Sequence, residues 1–247
     1  MYSPVRDWDQ TMDRDDNVIG SAASPEAVRS IDFYFDIICP WAFQTSLWIR
    51  EVSKRFDFSI NWKFYSLEET NLQMGKKHPW EREWSYGWSM LRICAYLRRE
   101  SPAMMDSFYL KAGTALHLEG RKAHTIEVSK DLIEELGWNR SIVDAALSDP
   151  TTHDDIKFDH DHIVSRGGFG VPTLVVRDQP IFGPVITPAP TGEQGVDLWR
   201  LVELWSRFDH LYEMRRPKTA TDLDHIANSF APYLQSRDWK TVQTEAP

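Results

Sequence analysis

The chain has 247 residues, of which 42% are hydrophobic and 26% are charged, and its formal net charge is −9. This composition is typical of a globular protein. The negative charge argues against a phosphate-binding surface, so we expect no nucleic acid among its partners. The sequence contains no run of 18 apolar residues, which predicts no membrane span and no membrane partner.

The first 30 residues are polar and acidic and show no periodic pattern. Residues 1–20 contain five aspartates and no apolar segment, so they do not resemble a secretory signal peptide. The chain has two cysteines, too few for the disulfide framework of a small secreted protein. We therefore expect a cytoplasmic protein with an acidic N-terminal extension at residues 1–30.

Residues 31–43 bring a cysteine to the start of a helix. The first half of this stretch is apolar and aromatic, which predicts a strand at about 31–37, and the spacing of the apolar residues that follow predicts a helix over 40–56. Pro40 fits the first helical turn, where an N–H would have no partner. The free N–H groups and the dipole of a helix N-terminus favour an anion. We therefore expect a lowered thiol pKa and a nucleophilic sulfur at Cys39.

The later elements alternate between strand and helix patterns. Alternating apolar and polar residues predict a second strand at 58–65, and the crossover of about 17 residues predicts that it runs parallel to the first. The remaining predicted elements are a helical block over about 79–165, strands at 171–176 and 179–183, a helix at 191–208 and a short helix at 223–233.

Two motifs accompany this order of elements: Phe33-Tyr-Phe-Asp36-x-x-Cys39-Pro-Trp41 and Gly170-Val-Pro172-Thr. Together with the order of elements, they resemble the DsbA-like thioredoxin-fold family. Two further segments, at 113–121 and 182–193, resemble the actinobacterial mycothiol-dependent nitroreductase branch. The chain is also similar to 2-hydroxychromene-2-carboxylate isomerases and kappa-class glutathione transferases.

The resemblance implies an α/β protein: a thioredoxin fold with an all-helical insertion, at about 79–165, between its βαβ and ββα halves. The domain would cover residues 31–216, with a C-terminal tail at 217–247. It also implies an oxidoreductase that uses mycothiol, or glutathione, as a thiol cosubstrate on a small electrophilic aromatic substrate. Secondary metabolism and detoxification both fit such an activity, and the question of a homodimer stays open.

The resemblance also implies roles for individual residues. Cys39 is the candidate catalytic nucleophile. Pro172 matches the cis-proline of the superfamily, whose bend would bring the Val171 main chain beside Cys39 to pair with a bound thiol. The residues expected to contact the thiol cosubstrate are Pro40, Trp41, Ala42, Val171 and Pro172. His117, which matches the segment at 113–121, is expected to line the substrate pocket. Apart from the resemblance, Phe43 flanks the cysteine and Trp84 and Trp88 lie on the predicted insertion, so we expect them to line the pocket too, with a core position as the alternative for Phe43.

Position 42 departs from the family pattern. Redox-active members carry Cys-Pro-Trp-Cys, whereas this chain has Cys-Pro-Trp-Ala at residues 39–42. Without a second thiol one helical turn on, Cys39 cannot close an internal disulfide, so it would act as a monothiol that an external thiol resolves. Two alternatives stay open: a thiol-dependent isomerase or transferase without net redox change, and a non-catalytic thioredoxin-fold binding protein.

The second cysteine and the histidines fit structural roles better. Cys94 lies in an apolar helical segment, and we expect it to fill the core. Residues 159–162 read Asp-His-Asp-His. This pattern places neighbours on different helix faces, whereas ligands on one face are three or four residues apart. We expect no metal and, because no phosphate-binding loop is present, no tightly bound nucleotide.

Overall fold

The computed structural model describes residues 27–239. Most of the predicted acidic extension, and the end of the tail from residue 240, therefore lie outside the described residues. None of the helices between residues 27 and 239 is long and apolar enough to cross a membrane.

A four-stranded sheet in the order β2-β1-β3-β4 forms the centre of the fold. β1 (Ser30–Phe35) pairs in parallel with β2 (Ser59–Phe64), as the sequence predicts. β3 (Thr173–Val176) pairs antiparallel with β1 on one side and with β4 (Gln179–Phe182) on the other. The two central strands are therefore the ones that precede Cys39 and follow Pro172.

The helices surround this sheet and lie mostly between β2 and β3 in the chain. In chain order they are α1 (Pro40–Phe56), α2 (Leu67–Thr70), α3 (Tyr86–Glu100), α4 (Pro102–His117), α5 (Ile126–Glu135), α6 (Ser141–Ser148), α7 (Thr152–Ser165), α8 (Gly192–Trp205), α9 (Ala220–Ser229) and α10 (Ala231–Ser236). A short 3-10 turn (Pro79–Glu81) precedes α3.

The predicted thioredoxin fold with a helical insertion is confirmed. β1, α1 and β2 form one half, β3, β4 and α8 form the other, and α3 to α7 lie between them. The predicted single helix at 223–233 is wrong, because the chain forms α9 and α10, which meet at Phe230. Pro232 explains the break, since proline has no N–H to continue the helical hydrogen bonds. The limits of the domain at 31 and 216 stay a prediction.

Helix α1 is fixed in position by buried aromatic side chains. Trp48 has no exposed surface, and its Nε1 donates to the main-chain carbonyl of Gly195 in α8 at 2.9 Å. Phe43, one turn from the N-terminus, packs against Tyr109 of α4 with ring centroids 6.4 Å apart. These contacts hold the N-terminal turn of α1, and with it Cys39, at the end of β1.

A buried carboxylate ties the insertion to the sheet. Asp159 of α7 is 3% exposed and accepts a hydrogen bond from the Phe64 N–H at 3.1 Å. β2 is an edge strand, so this carboxylate satisfies an N–H that has no strand partner there. Asp159 also pairs with Arg98 of α3 at 2.5 Å, which supplies the opposite charge that a buried carboxylate needs.

Replacement of Gly113 by alanine tests how tightly α4 packs on α1. A Cβ atom at this position would lie 2.3 Å from Cδ2 of the buried Phe43 ring. We expect Gly113→Ala to lower the free energy of unfolding, measured by urea denaturation, by about 1–3 kcal/mol. In a Phe43→Leu background the same alanine should cost less, because it meets a smaller side chain. Equal costs in the two backgrounds would contradict this contact.

Candidate active site

The Cys39 side chain caps the N-terminus of α1. Its backbone is extended, and its sulfur accepts a hydrogen bond from the Ala42 N–H at 3.4 Å. Pro40 occupies the first helical position, where its missing N–H leaves no hydrogen bond unmade. The Cys39 N–H donates to the Asp36 carbonyl at 3.0 Å, which closes the turn between β1 and α1. The predicted strand–cysteine–helix arrangement is therefore present.

The second half of the fold brings Val171 to the same sulfur. The Cys39 Sγ–H donates to the Val171 carbonyl oxygen at 3.4 Å across 132 residues of sequence. The Val171–Pro172 peptide bond is cis, and β3 begins at the next residue. The structure thus places the Val171 main chain beside the candidate nucleophile, as the resemblance implies.

The thiol pKa differs from the expectation based on the helix start. Burial raises the pKa of the Cys39 thiol to about 12, although the N–H of Ala42 lowers it. The negative charge of Asp36 raises it further. The predicted lowering is therefore wrong for this arrangement, because the side chain is only 4% exposed and a buried thiolate loses its hydration. In this state the sulfur carries its proton, which agrees with its hydrogen bond to Val171.

Asp36 is a buried carboxyl beneath the same turn. It has no exposed surface, and it accepts hydrogen bonds from the N–H groups of Ile38 at 3.2 Å and Leu67 at 2.8 Å. Burial raises the pKa of this carboxyl to about 7, while its hydrogen bond with Leu67 lowers it. Asp36 therefore holds the turn that presents Cys39. It belongs to the sequence motif, but the sequence gives no sign of its raised pKa.

The loop after β4 is attached to the N-terminal half of α1. The Gly183–Pro184 and Thr187–Pro188 peptide bonds are both cis. Thr45 Oγ1 donates to the Pro184 carbonyl at 2.7 Å, and the Ala189 N–H donates to Gln44 Oε1 at 3.0 Å. The segment at 182–193 that carries part of the family resemblance therefore lies against the helix that carries the cysteine.

Three of the predicted pocket residues have no surface to offer a substrate in this arrangement. Phe43, Trp88 and His117 are each at most 1% exposed. Trp88 packs against Trp80 with ring centroids 5.2 Å apart, and its Nε1 donates to His153 Nδ1 at 2.7 Å. These residues pack the helices together here, and their role as pocket residues stays a prediction.

Trp84 lies outside the helices, although it falls in the block at about 79–165 that the sequence predicts to be helical. α3 begins at Tyr86, one residue after its N-cap Ser85. Trp84 is half-buried in the loop between the 3-10 turn and this helix. The main-chain N–H groups that start α3 bind instead to Glu68, whose carboxylate accepts from Gly87 and Trp88 at 2.9 and 2.8 Å.

His117 is a buried acceptor close to the nucleophile's turn. Its Nε2 lies 2.7 Å from the Ile37 carbonyl, so Nε2 carries the proton and donates. Its Nδ1 is buried and has no hydrogen-bond partner among residues 27–239. Burial lowers the pKa of this imidazole to about 4. The ring is therefore neutral at physiological pH, and Nδ1 can accept a hydrogen bond.

The C-terminal helices contribute two aromatic residues that the sequence analysis does not identify. The Phe230 ring meets the Trp41 ring edge-on at 4.7 Å, and the Tyr233 ring lies 5.0 Å from that of His117. Both residues are at most 6% exposed. The pair of aromatic residues around Pro232 was the available sequence signal, but it does not indicate which surface the helices cover.

The other candidate groups have structural partners. Cys94 is fully buried in α3 and, like Cys39, is a free thiol. In the Asp-His-Asp-His stretch, His160 Nδ1 accepts from the Ser66 N–H at 3.2 Å, and Asp159 binds Arg98 as described. Both residues are therefore used in joining α7 to the rest of the fold.

Comparison with known proteins relates this chain to a mycothiol-dependent family. A family model described as Rv2466c-like, mycothiol-dependent nitroreductase Rv2466c, matches residues 38–216. The Mycobacterium tuberculosis protein Rv2286c, described as uncharacterized, is 48% identical over 215 residues, which are 87% of this chain and 94% of that protein. The 2-hydroxychromene-2-carboxylate isomerase of Pseudomonas sp. (strain C18) is 23% identical over 180 residues, which are 62% of this chain and 84% of the isomerase.

A solved structure supports the same fold. The cytosolic disulfide reductase DsbM from Pseudomonas aeruginosa, with GSH, is similar to this chain with a TM-score of 0.51 and 14% identity. The similarity covers 72% of this chain and all of that chain. At this identity the likeness shows the fold, which is DsbA-like.

The pH dependence of stability tests the raised pKa of Asp36. The folded protein keeps a carboxyl proton up to about pH 7 that the unfolded chain releases near pH 4. This group's stabilising contribution is therefore complete below the unfolded pKa and is lost as the pH rises through the folded pKa. Relative to Asp36→Asn, the wild-type protein should lose about 1.4 kcal/mol of unfolding free energy per pH unit across this window.

Urea denaturation between pH 4 and pH 8 measures this difference. Asp32→Asn, in the strand that leads to Asp36, is a matched control, since its carboxylate accepts a hydrogen bond from Asn61 at the surface. If the gap between wild type and Asp36→Asn does not change with pH, Asp36 does not hold the extra proton.

Proposed function

The chain belongs to the Rv2466c-like family, described as mycothiol-dependent nitroreductase, and from this premise we propose that it reduces a small electrophilic aromatic substrate through the single thiol of Cys39. Mycothiol is the proposed cosubstrate, with glutathione as the alternative. The proposed cycle consumes reduced thiol, so it belongs in a reducing compartment such as the cytoplasm.

The observation that carries this proposal is a lone sulfur between a helix N-terminus and the Val171 carbonyl. Cys39 Sγ lies 3.4 Å from both the Ala42 nitrogen and the Val171 oxygen. Ala42 is fully buried and has only a methyl group where redox-active relatives carry a second thiol. A sulfur in this position can attack an electrophile or a disulfide, but it cannot store two electrons locally.

The proposed reaction proceeds on the Cys39 sulfur. Cys39 loses its proton and bonds to the electrophilic atom of the substrate, which takes up one proton. The thiol of a first mycothiol then attacks the Cys39 sulfur, which breaks the sulfur–substrate bond and forms a mixed disulfide. The substrate leaves reduced by two electrons and takes the proton of this thiol as its second proton. Cys39 is regenerated as a thiol when its mixed disulfide exchanges with a second mycothiol, and mycothiol disulfide leaves. Two thiols thus supply the two electrons and two protons.

The main chain around Cys39 fits a bound thiol. Once the sulfur has lost its proton, the Val171 carbonyl no longer receives the thiol hydrogen bond and can accept one from an amide of the cosubstrate. The Ala42 N–H continues to face the sulfur and stabilises its negative charge. The proposed contact residues are those of this turn and of the cis-proline segment: Pro40, Trp41, Ala42, Val171 and Pro172.

A second candidate function is a thiol-dependent isomerase that makes no net redox change. Ala42 favours it, because an enzyme that never closes a disulfide has no use for a second cysteine. The similarity to the Pseudomonas isomerase supports this alternative as well. Formation of an isomerised product without consumption of thiol would select it over the reductive cycle.

Replacement of Cys39 by serine tests the nucleophile. The hydroxyl can keep the helix cap but does not form the disulfide that the cycle requires. We expect Cys39→Ser to lower the kcat/KM of mycothiol-dependent reduction of a nitroaromatic probe about 1000-fold or more. Cys94→Ala, which changes the buried cysteine of α3, should keep most of the activity. Full activity of Cys39→Ser would rule out the proposed cycle.

Restoration of the second cysteine tests the monothiol state. After treatment with mycothiol disulfide, intact-mass analysis of the wild-type protein should show one adduct, on Cys39. Ala42→Cys should instead show no adduct and the loss of two hydrogens, because a thiol one turn away resolves the mixed disulfide internally. A Cys39–Cys94 disulfide in the wild-type protein would overturn the proposal. The same treatment with glutathione disulfide compares the two thiols.

A further inference from the structure

The end of the described chain folds back over the Cys39 turn. After α8, residues 211–219 have no regular secondary structure, and residues 212–219 are exposed. α9, α10 and residues 237–239 then pack against the elements around the active site. The family match ends at residue 216, so this segment lies outside the matched region. We call residues 220–239 the C-terminal cover.

The inner face of the C-terminal cover is aromatic. Phe230 is 6% exposed and lies edge-on to Trp41, two residues after the nucleophile. Tyr233 is 5% exposed and lies against His117. A negative charge on the Cys39 sulfur would raise the pKa of Tyr233, after the larger effect of burial. These two rings therefore pack on residues beside the Cys39 turn, and Tyr233 lies near enough to the sulfur to interact with its charge.

The C-terminal cover is also attached through several polar contacts. His225 Nε2 lies 3.1 Å from the Thr187 carbonyl, and Ser236 Oγ donates to the Leu116 carbonyl at 3.1 Å. Asp238 pairs with Lys122 at 2.7 Å and with His124 at 2.9 Å. No residue of α9 is buried. Apart from its aromatic face and Trp239, which packs against Tyr86 with ring centroids 5.0 Å apart, the cover is held by these polar contacts, and we expect it to open locally without unfolding of the domain.

The covered sulfur is out of reach of a reactant. A group that attacks or is attacked must come within about 3–3.5 Å of the sulfur along the direction of the new bond. Cys39 is 4% exposed under the cover, and its thiol keeps its proton there. Opening of the cover would let water reach the sulfur, and the α1 N-terminus could then favour the thiolate.

We propose that the C-terminal cover must open for Cys39 to react, and that Phe230 and Tyr233 are specificity-determining residues that admit flat aromatic groups and limit their size. The assignment of these groups as substrates rests on the proposed function; the closure of the sulfur does not. When the cover re-forms against a bound ring, Trp41 and Phe230 offer it the edge and face contacts that aromatic groups prefer. His117 Nδ1, the buried acceptor beside Tyr233, is then available to a polar substituent of that ring.

The rate of Cys39 alkylation tests the closure independently of any enzymatic activity. Iodoacetamide labelling of the wild-type protein, followed by peptide mass spectrometry, should be slow at Cys39 and absent at the buried Cys94. Phe230→Ala should raise the Cys39 rate about tenfold or more, because the open state becomes more populated. Leu234→Ala, on the exposed side of α10, is the matched control and should keep the wild-type rate. Equal rates in wild type and Phe230→Ala would overturn the closure.

A second variant separates opening from size selection. Asp238→Asn weakens the attachment to Lys122 and His124 and leaves the aromatic face intact. It should raise the labelling rates for iodoacetamide and for the bulky N-(1-pyrenyl)maleimide by the same factor. Phe230→Ala should in addition raise the ratio of the pyrenylmaleimide rate to the iodoacetamide rate by about tenfold. An equal effect of both variants on the ratio of the two rates would refute size selection. Labelling of Cys94 would show that a variant has unfolded. If Phe230→Ala unfolds, the labelling rate of Cys39 in Asp238→Asn tests whether the cover closes over the sulfur.

The two proposals fail in different ways. If Cys39→Ser remains fully active, the proposed function is wrong, although labelling can still show the cover. If Phe230→Ala and Asp238→Asn leave the labelling rates unchanged while Cys39→Ser is inactive, the cover is wrong and the proposed function stands.

Discussion

Two hydrogen bonds to one sulfur connect the two halves of this molecule. Cys39 accepts from the N–H of Ala42, which belongs to the first half, and donates to the carbonyl of Val171, which belongs to the second. Each hydrogen bond depends on the position of another part of the fold. The bond from Ala42 requires that α1 is fixed on the sheet, and the bond to Val171 requires that the cis-proline segment lies beside the sulfur, although the helical insertion separates the two in sequence. The tryptophan contact between α1 and α8 and the anchoring of α7 on β2 supply this support.

The local elements could be predicted because they depend on short-range patterns. Pro40 and the spacing of the apolar residues predict the first helix at the residues where it occurs. The position of Val171 beside Cys39 could be inferred from the family resemblance but not from periodicity, because 132 residues separate them. The single helix predicted at 223–233 missed the effect of Pro232, which divides it into two.

The electrostatics of the site could not be predicted, because they depend on burial. A helix N-terminus favours a thiolate only where the ion keeps some hydration, and the sequence does not show that Cys39 is enclosed. The same holds for Asp36, whose carboxyl is ordinary in sequence and fully buried in the fold. The sequence predicts Phe43, Trp88 and His117 as pocket residues, because Phe43 flanks the cysteine, Trp88 lies on the insertion and His117 lies in a family segment. In the covered arrangement all three side chains are buried among the helices, which the sequence pattern does not reveal.

The burial of Ala42 and Cys39 also bears on oxidative damage. A thiolate exposed to peroxide becomes a sulfenic acid, and a neighbouring cysteine normally traps that species as a disulfide before it is oxidised irreversibly. This chain has a methyl group at the neighbouring position and cannot use that protection. In the proposed cycle, keeping the sulfur protonated and enclosed between turnovers would remove the reactive form instead, so the covered state would protect a nucleophile that has no neighbouring cysteine to trap its sulfenic acid.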